Sequence, residues 1–257
     1  MVSDVFVVAE KLVSHIKTTC RDEVDLVAYY GSHAQGVATE HSDLDFFYVP
    51  SPGYDPAIAR SFLLAGRLFD FWPLSWQGLD GFATGIARGW AFAPALVYHA
   101  QVLYARSDGA RAHLAELKER VKSMQQEAAR PEMVRRALGK FADVQAQVEE
   151  LRQVQQGDCA TLSRARWLFV ESLWECLALA NQVFFHRGLH QSLTLVERFE
   201  LRPANMEGLL ETVISSSIGG KVVAACEELA RDTRQLLVGL QQSLPALSIG
   251  EAFKGAY

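Results

Sequence analysis

The sequence predicts an α+β chain: a small mixed β-sheet domain with helices over residues 1–108, then an all-α helical bundle over residues 109–257. Two observations predict this. As far as Asp108, short stretches rich in β-branched and aromatic residues alternate with helical patterns. Beyond Asp108 the strand signals stop, and apolar residues recur at helical spacing. The composition, 49% hydrophobic and 21% charged over 257 residues, is globular and supplies enough apolar material for a core.

The elements follow in order. Val5, Val8, Leu12, His15 and Ile16 form one stripe of a helix from about Asp4 to Thr19. VDLVAYYG, Val24 to Gly31, reads as a strand, and LDFFYV, Leu44 to Val49, as a second. AIARSFLLAG, ending at Gly66, reads as a helix. LFDFWPL, Leu68 to Leu74, is a third strand, which Pro73 places near a sheet edge or a strand end. QVLYARS, Gln101 to Ser107, is a fourth and short one. Helices are then expected over about 110–125, 131–156, 159–187 and 221–243, with shorter ones near 192–199 and 205–215. The stretch from Trp167 to Phe185 approaches the length of a membrane span, but Glu171, Glu175 and Asn181 interrupt it. A buried central helix is the better reading.

Charge and cysteine usage narrow the class. The net charge is -5 and the sequence pI about 5.8. A protein that grips phosphate backbones needs a basic surface, so a nucleic-acid binder is disfavoured. Cys20, Cys159, Cys176 and Cys226 show no CxxC spacing, which suggests free thiols in a reducing compartment. The N-terminus has no basic leader before an apolar run, so no signal peptide is expected. The expectation is a soluble, cytoplasmic protein with no membrane association, either a monomer or a homodimer.

The informative stretch is YGSHAQGVATEHSDLDFF, residues 30–47. Side chains alternate along a strand, so Asp43 and Asp45 share one face and Leu44 takes the other. Two carboxylates held that close on a rigid strand repel each other unless something positive lies between them. Asp70, in LFDFW, would bring a third from a neighbouring strand while Phe69 and Phe71 face the core. Such a set suits magnesium, which takes oxygen ligands and shares them with phosphates. Two ions roughly 4 Å apart can activate an attacking hydroxyl and stabilise a leaving pyrophosphate. Gly31 lets the backbone approach a phosphate, and Ser32 offers a hydroxyl and an amide. A helix starting at Ser32 would add its N-terminal dipole.

The run GSHAQGVATEHSDLD resembles the G-S-x-A-x-G…S-D-x-D signature of the polymerase-beta-like nucleotidyltransferase superfamily, and Asp70 stands at the family's usual distance downstream. The helical half looks like that of the antibiotic-modifying members, such as the kanamycin and lincosamide nucleotidyltransferases. The resemblance implies that Gly31 and Ser32 hold nucleotide phosphates. It implies that Asp43 and Asp45 bind magnesium, and that Asp70 is the third ligand or the base taking the acceptor's proton. The implied reaction moves a nucleoside monophosphate, typically AMP from ATP, onto a hydroxyl of a small acceptor and releases pyrophosphate. The sequence departs from the family where His33 and Gln35 replace a common Arg or Lys. Arg60, Lys140 and Arg152 are then candidates for the missing phosphate-neutralising charge. A helical-domain glutamate acts as base in some antibiotic-modifying members. Glu149, which with Gln145 follows the stripe of Val134, Leu138, Phe141 and Val148, is the candidate here, with Glu171 as the other.

Plainer readings compete. An isolated Asp-x-Asp is common at solvated strand starts, and Asp70 alone would be an edge carboxylate; the Gly-Ser turn and the three positions together favour a site. His33 and His41 read as loop residues, and His186 and His190 as part of a turn, since Gly188 separates them and no third zinc ligand is evident. The aromatic run FDFWPLSW is core by alternation, with Trp72 or Trp76 available for a cleft rim. A different function, an inactive or protein-AMPylating nucleotidyltransferase-like partner of the toxin–antitoxin type, is disfavoured by the ~150 residues of helical chain that such short proteins lack.

Overall fold

The computed structural model describes residues 3–40, 42–54, 61–64, 67–154, 157–185 and 199–244. The chain divides into two compact units, Met1–Met124 with Phe184–Leu195, and Gln125–Val183 with Val196–Tyr257.

The first unit is built on a mixed five-stranded sheet, order β3-β4-β2-β1-β5. Its strands are β1 (Val24–Tyr30), β2 (Leu44–Pro50), β3 (Ser61–Leu64), β4 (Arg67–Pro73) and β5 (Gln101–Ala105). β2 runs parallel to β4; the other pairs, β1 with β2, β1 with β5 and β3 with β4, are antiparallel. On one face, Leu44, Phe46, Tyr48, Phe69 and Phe71 join a buried cluster with Ala9, Val13 and Ile16 of α1 (Ser3–Thr19). The buried line of α1 therefore runs Ala9, Val13, Ile16, with Val8 and Leu12 half-buried; His15, expected on the stripe, is exposed.

One strand corrects the sequence reading. Ser61–Leu64, expected inside a helix, is β3, paired in antiparallel register from Ser61 opposite Asp70 to Leu64 opposite Arg67. Apolar residues in SFLL fit either period, and the exposed edge of β4 decides. Phe62 stacks on Phe69 with ring centroids 5.3 Å apart, while Leu63 points to solvent. The rest of that expected helix, 57–60 and 65–66, lies outside the described residues. Pro73 ends β4, where its missing N–H costs no ladder bond.

Three further helices complete the first unit beside the single turn α2 (Gly31–Ala34). They are α3 (Trp76–Thr84), α4 (Ala93–His99) and α5 (Asp108–Met124). Ser75 caps α3, its side chain accepting from the Gly78 N–H at 3.0 Å. α5 packs on β1, β5, α3 and α4, so the first compact unit extends past residue 108 to Met124.

A buried polar knot ties these parts together. The register of β1 shifts between Val24 and Leu26, and Asp25 at the shift is buried. Its carboxylate accepts from the Ser51 hydroxyl at 2.9 Å and the Trp76 indole N–H at 3.3 Å, and pairs with Arg106 at 2.7 Å. The Arg106 backbone N–H also donates to the Asp25 carbonyl at 2.8 Å. Trp76 stacks flat on His113 of α5 at 4.4 Å.

The second unit is helical. α6 (Arg130–Val154) packs along α7 (Cys159–Ala180), and α9 (Gly219–Gln242) packs against both and against α8 (Met206–Ser215). Residues 172–180 of α7 are all buried, as a central helix requires. Asp158 caps its start, accepting from the Thr161 N–H at 2.9 Å. It ends at Ala180, short of the expected residue 187. Gln182 adopts φ 54°, and Val183 N–H returns to the Ala178 carbonyl at 3.0 Å while Asn181 Nδ2 donates to Leu201 at 2.8 Å. The helix expected near 192–199 falls outside the described residues apart from Phe199. Among the described residues, no helix is long and apolar enough to cross a membrane.

Candidate active site

Register alone assembles the centre of the site. Asp45 on β2 lies opposite Tyr30 on β1 and opposite Asp70 on β4, and Asp70 lies opposite Ser61 on β3. Partners in register share a face, so Ser61, Asp70, Asp45 and Tyr30 form one row across four strands. Phe46, Phe69 and Phe71 point the other way into the core. The Ser61 hydroxyl donates to Asp70 Oδ1 at 2.6 Å. Asp43 precedes β2 by one residue. The turn before it is held by the Thr39 N–H donating to Ser42 Oγ at 2.8 Å and the Ser42 N–H donating to the Thr39 carbonyl at 3.1 Å.

The electrostatics of the row follow from this adjacency. Burial, then Asp43, then Asp70, push the Asp45 carboxyl up from its ordinary 3.8 to about 6. Burial raises the Tyr30 phenol as well; Asp45, Asp70 and Asp43 add to the rise, and Arg88 opposes it. Tyr30 therefore sits within reach of three negative groups and one positive group. Among the described residues, no Lys, Arg or His lies within ion-pairing distance of the three aspartates.

Gly31 closes the row. Its φ is +72°, and a Cβ there would meet Asp45 Oδ2 at 2.2 Å. Glycine is required both by the backbone conformation and by the carboxylate beside it. The chain then makes one helical turn, with the Val37 N–H donating to the Ser32 carbonyl at 3.0 Å. This turn begins at Gly31 rather than Ser32.

Part of this centre borders an open cleft of about 690 Å³, a volume suited to a small ligand; Asp45, Asp70 and Ser61 are not among the residues that line it. Tyr30, Gly31, Ser32, Gln35, Ser42 and Asp43 line one part of its wall; Trp72, Phe82, Phe92, Leu96 and Phe185 contribute apolar surface, and Arg88 a cation. Trp72 lines the cleft, whereas Trp76 is spent on Asp25 and His113.

The donor set fits a hard divalent cation in kind: oxygen ligands only, crowded enough that Asp45 resists ionisation. It is not drawn together as a finished cage. Among the described residues no three His, Cys, Asp or Glu are spaced as a ready metal cluster.

The remaining expectations distribute differently. Glu149 and Gln145 lie on the exposed side of α6, whose buried residues are Met133, Val134, Ala137, Phe141, Val144, Val148 and Leu151. Glu149 pairs with Arg152 at 2.9 Å, which with the Gln153 amide holds its carboxyl below the usual range. Arg152 also pairs with Glu227 at 2.8 Å, and Lys140 with Asp143 at 2.7 Å. Glu171 is exposed. Arg60, His41, His186 and His190 lie outside the described residues. Tyr30, Ser61 and Arg88 were not singled out from sequence. The glycine-bracketed arginine in TGIARGW was the one available signal for Arg88.

A carboxylate row on a mixed sheet, beside a Gly-Ser turn, belongs to the nucleotidyltransferase fold. The chain is similar to the crystal structure of a nucleotidyltransferase-like protein from Exiguobacterium sibiricum 255-15, with a TM-score of 0.50 and 11% identity over 92% of this chain and 80% of that one. At that identity the likeness concerns the fold. Residues 111–242, just over half of the 257, match the family described as the KNTase C-terminal domain. The chain belongs to that family and is a nucleotidyltransferase. No curated protein matches it significantly.

Proposed function

We propose that the protein transfers a nucleoside monophosphate, AMP from ATP in the first instance, onto a hydroxyl of a small molecule in a magnesium-dependent reaction. The observation that carries this reading is the register placing Asp45 directly beside Asp70, with Asp43 and Gly31 on the wall of one cleft. Asp43, Asp45 and Asp70 would hold magnesium, which when bound supplies charge stabilisation for the phosphates. Ser32 and the Gly31 backbone would position them. As the alternative to metal ligation, Asp70, whose Oδ1 accepts from the Ser61 hydroxyl, would take the acceptor's proton. The acceptor oxygen bonds to the α-phosphorus as the bond to the bridging oxygen breaks, and pyrophosphate leaves.

The family match supports the reaction class; the antibiotic acceptor is carried by the resemblance to kanamycin- and lincosamide-modifying enzymes. The test is a pyrophosphate-release screen of ATP, GTP, CTP and UTP with magnesium against hydroxyl-bearing antibiotics. Release that needs both magnesium and an acceptor, and is lost in Asp43→Asn, supports the reading. Metal-independent release, or release unchanged in that variant, refutes it.

A further inference from the structure

We propose that Arg88 is the phosphate-binding cation of the cleft, gripping the part of the nucleotide that departs as pyrophosphate; this rests on the nucleotidyl-transfer reading above. Four observations converge on it. Arg88 lines the same cleft as Gly31, Ser32 and Asp43, and among the described residues no other Lys or Arg does so. Its guanidinium lies over Trp72 at 5.1 Å and over Phe82 at 5.7 Å, a seat that fixes the plane of the group. Among the described residues it forms no ion pair, so its donors are not consumed by a carboxylate. Its backbone adopts φ 62°, a conformation in which arginine is costly and glycine is free.

The last observation separates a functional role from a structural one. The loop is already built around positive-φ glycines, Gly85 at 69° and Gly89 at 83°. It is pinned by the Ala87 N–H donating to the Gly81 carbonyl at 2.9 Å and the Gly85 N–H to Phe82 at 3.1 Å. A residue that merely turned the chain here would be a third glycine or an asparagine. The strained arginine places a planar, permanently charged fork at the cleft, and that fork matches phosphate oxygens in pairs. It also answers the deficit at His33 and Gln35, which leave the phosphate turn without a cation. The charge of Arg88 is felt at Tyr30 together with those of the three aspartates, which puts it within electrostatic reach of the carboxylate row.

The experiment is calorimetric titration with magnesium present, of ATP, inorganic pyrophosphate and AMP, into the full chain carrying Arg88→Gln, Arg88→Lys or Arg88→Gly. Expected is a roughly 10- to 100-fold loss of affinity for ATP and pyrophosphate in Arg88→Gln, AMP affinity within about twofold, and partial recovery in Arg88→Lys. Arg88→Gly should match or exceed the wild-type melting temperature while losing pyrophosphate binding, which separates binding from folding. Unchanged pyrophosphate affinity in Arg88→Gln, or equal loss for all three ligands, overturns the assignment. If the wild type binds neither ATP nor pyrophosphate, the nucleotidyl-transfer reading falls and this proposal with it. If the wild type binds both and only the arginine variants fail to differ, this proposal alone falls.

Discussion

Removing one negative charge from the carboxylate row should make the metal-free protein more stable. Asp45→Asn is the perturbation, because burial and both neighbouring aspartates oppose ionisation of this carboxyl. Its carboxyl is raised from 3.8 to about 6 by burial, Asp43 and Asp70. Each tenfold change in proton affinity is about 1.36 kcal/mol, so the full cost of ionising Asp45 in the fold is at most about 3 kcal/mol. Asp45 is only half-buried and water screens part of this, which leaves about 1–2 kcal/mol. The sign follows from linkage. The folded state holds this proton more tightly than the unfolded chain, so stability falls as pH rises from about 4 to about 6 and the penalty is complete above that. The neutral amide escapes it. In EDTA at pH 7.5, Asp45→Asn should melt about 2–6 °C higher than wild type, and the gain should vanish near pH 4. Adding magnesium should raise the wild type and leave the variant unmoved. A variant that is less stable at pH 7.5, or equally more stable at both pH values, would show that the three charges do not meet.

The other expectations concern the frame. Gly31→Ala meets Asp45 Oδ2 at 2.2 Å and a φ of +72°; the carboxylate can swing aside, so the stability cost is about 1–2 kcal/mol, seen in urea unfolding, while magnesium-dependent ATP binding is lost. Asp25→Ala strips the partner from Arg106, Ser51 and Trp76 and should cost about 2–3 kcal/mol in the same assay with the cleft chemistry intact. Exposed Cys159 should react first with a disulfide reagent, whereas Cys176 and Cys226, their thiols pushed up to about 12 by burial, should react only on unfolding.

What could be read from the residues, and what could not, divides along local and long-range causes. Asp43, Asp45 and Asp70 stand out because aspartate is rare among aromatic strand residues, and period-2 alternation says which face each takes. Their adjacency follows once β2 and β4 pair in parallel. β3 was hidden because SFLL carries no decisive period, although only two residues separate it from its antiparallel partner β4. α3 and α4 are short and lie among glycines and aromatics, where helical spacing has little room to repeat. Arg88 was hidden for a different reason. Its role rests on a backbone angle and on two rings brought to it from β4 and α3, neither visible along the chain. Asp25 is similar: its partners come from positions 51, 76 and 106. Glu149 misled because the stripe it was traced with is mostly buried, at Val134, Phe141 and Val148, while Glu149 itself, one residue past Val148, turns to solvent.

Gly31 changes meaning most between the two views. From sequence its value lay in letting a phosphate come close. In the fold the missing Cβ is already used, because Asp45 Oδ2 fills the space it would take. The phosphate turn and the carboxylate row are therefore one object: a side chain at position 31 would displace the carboxylate as well as the ligand. The cost of crowding is met at Asp45, whose ionisation is opposed by burial and by its two neighbours. The activity should thus depend on magnesium, whose charge offsets the opposition that burial, Asp43 and Asp70 raise against ionised Asp45.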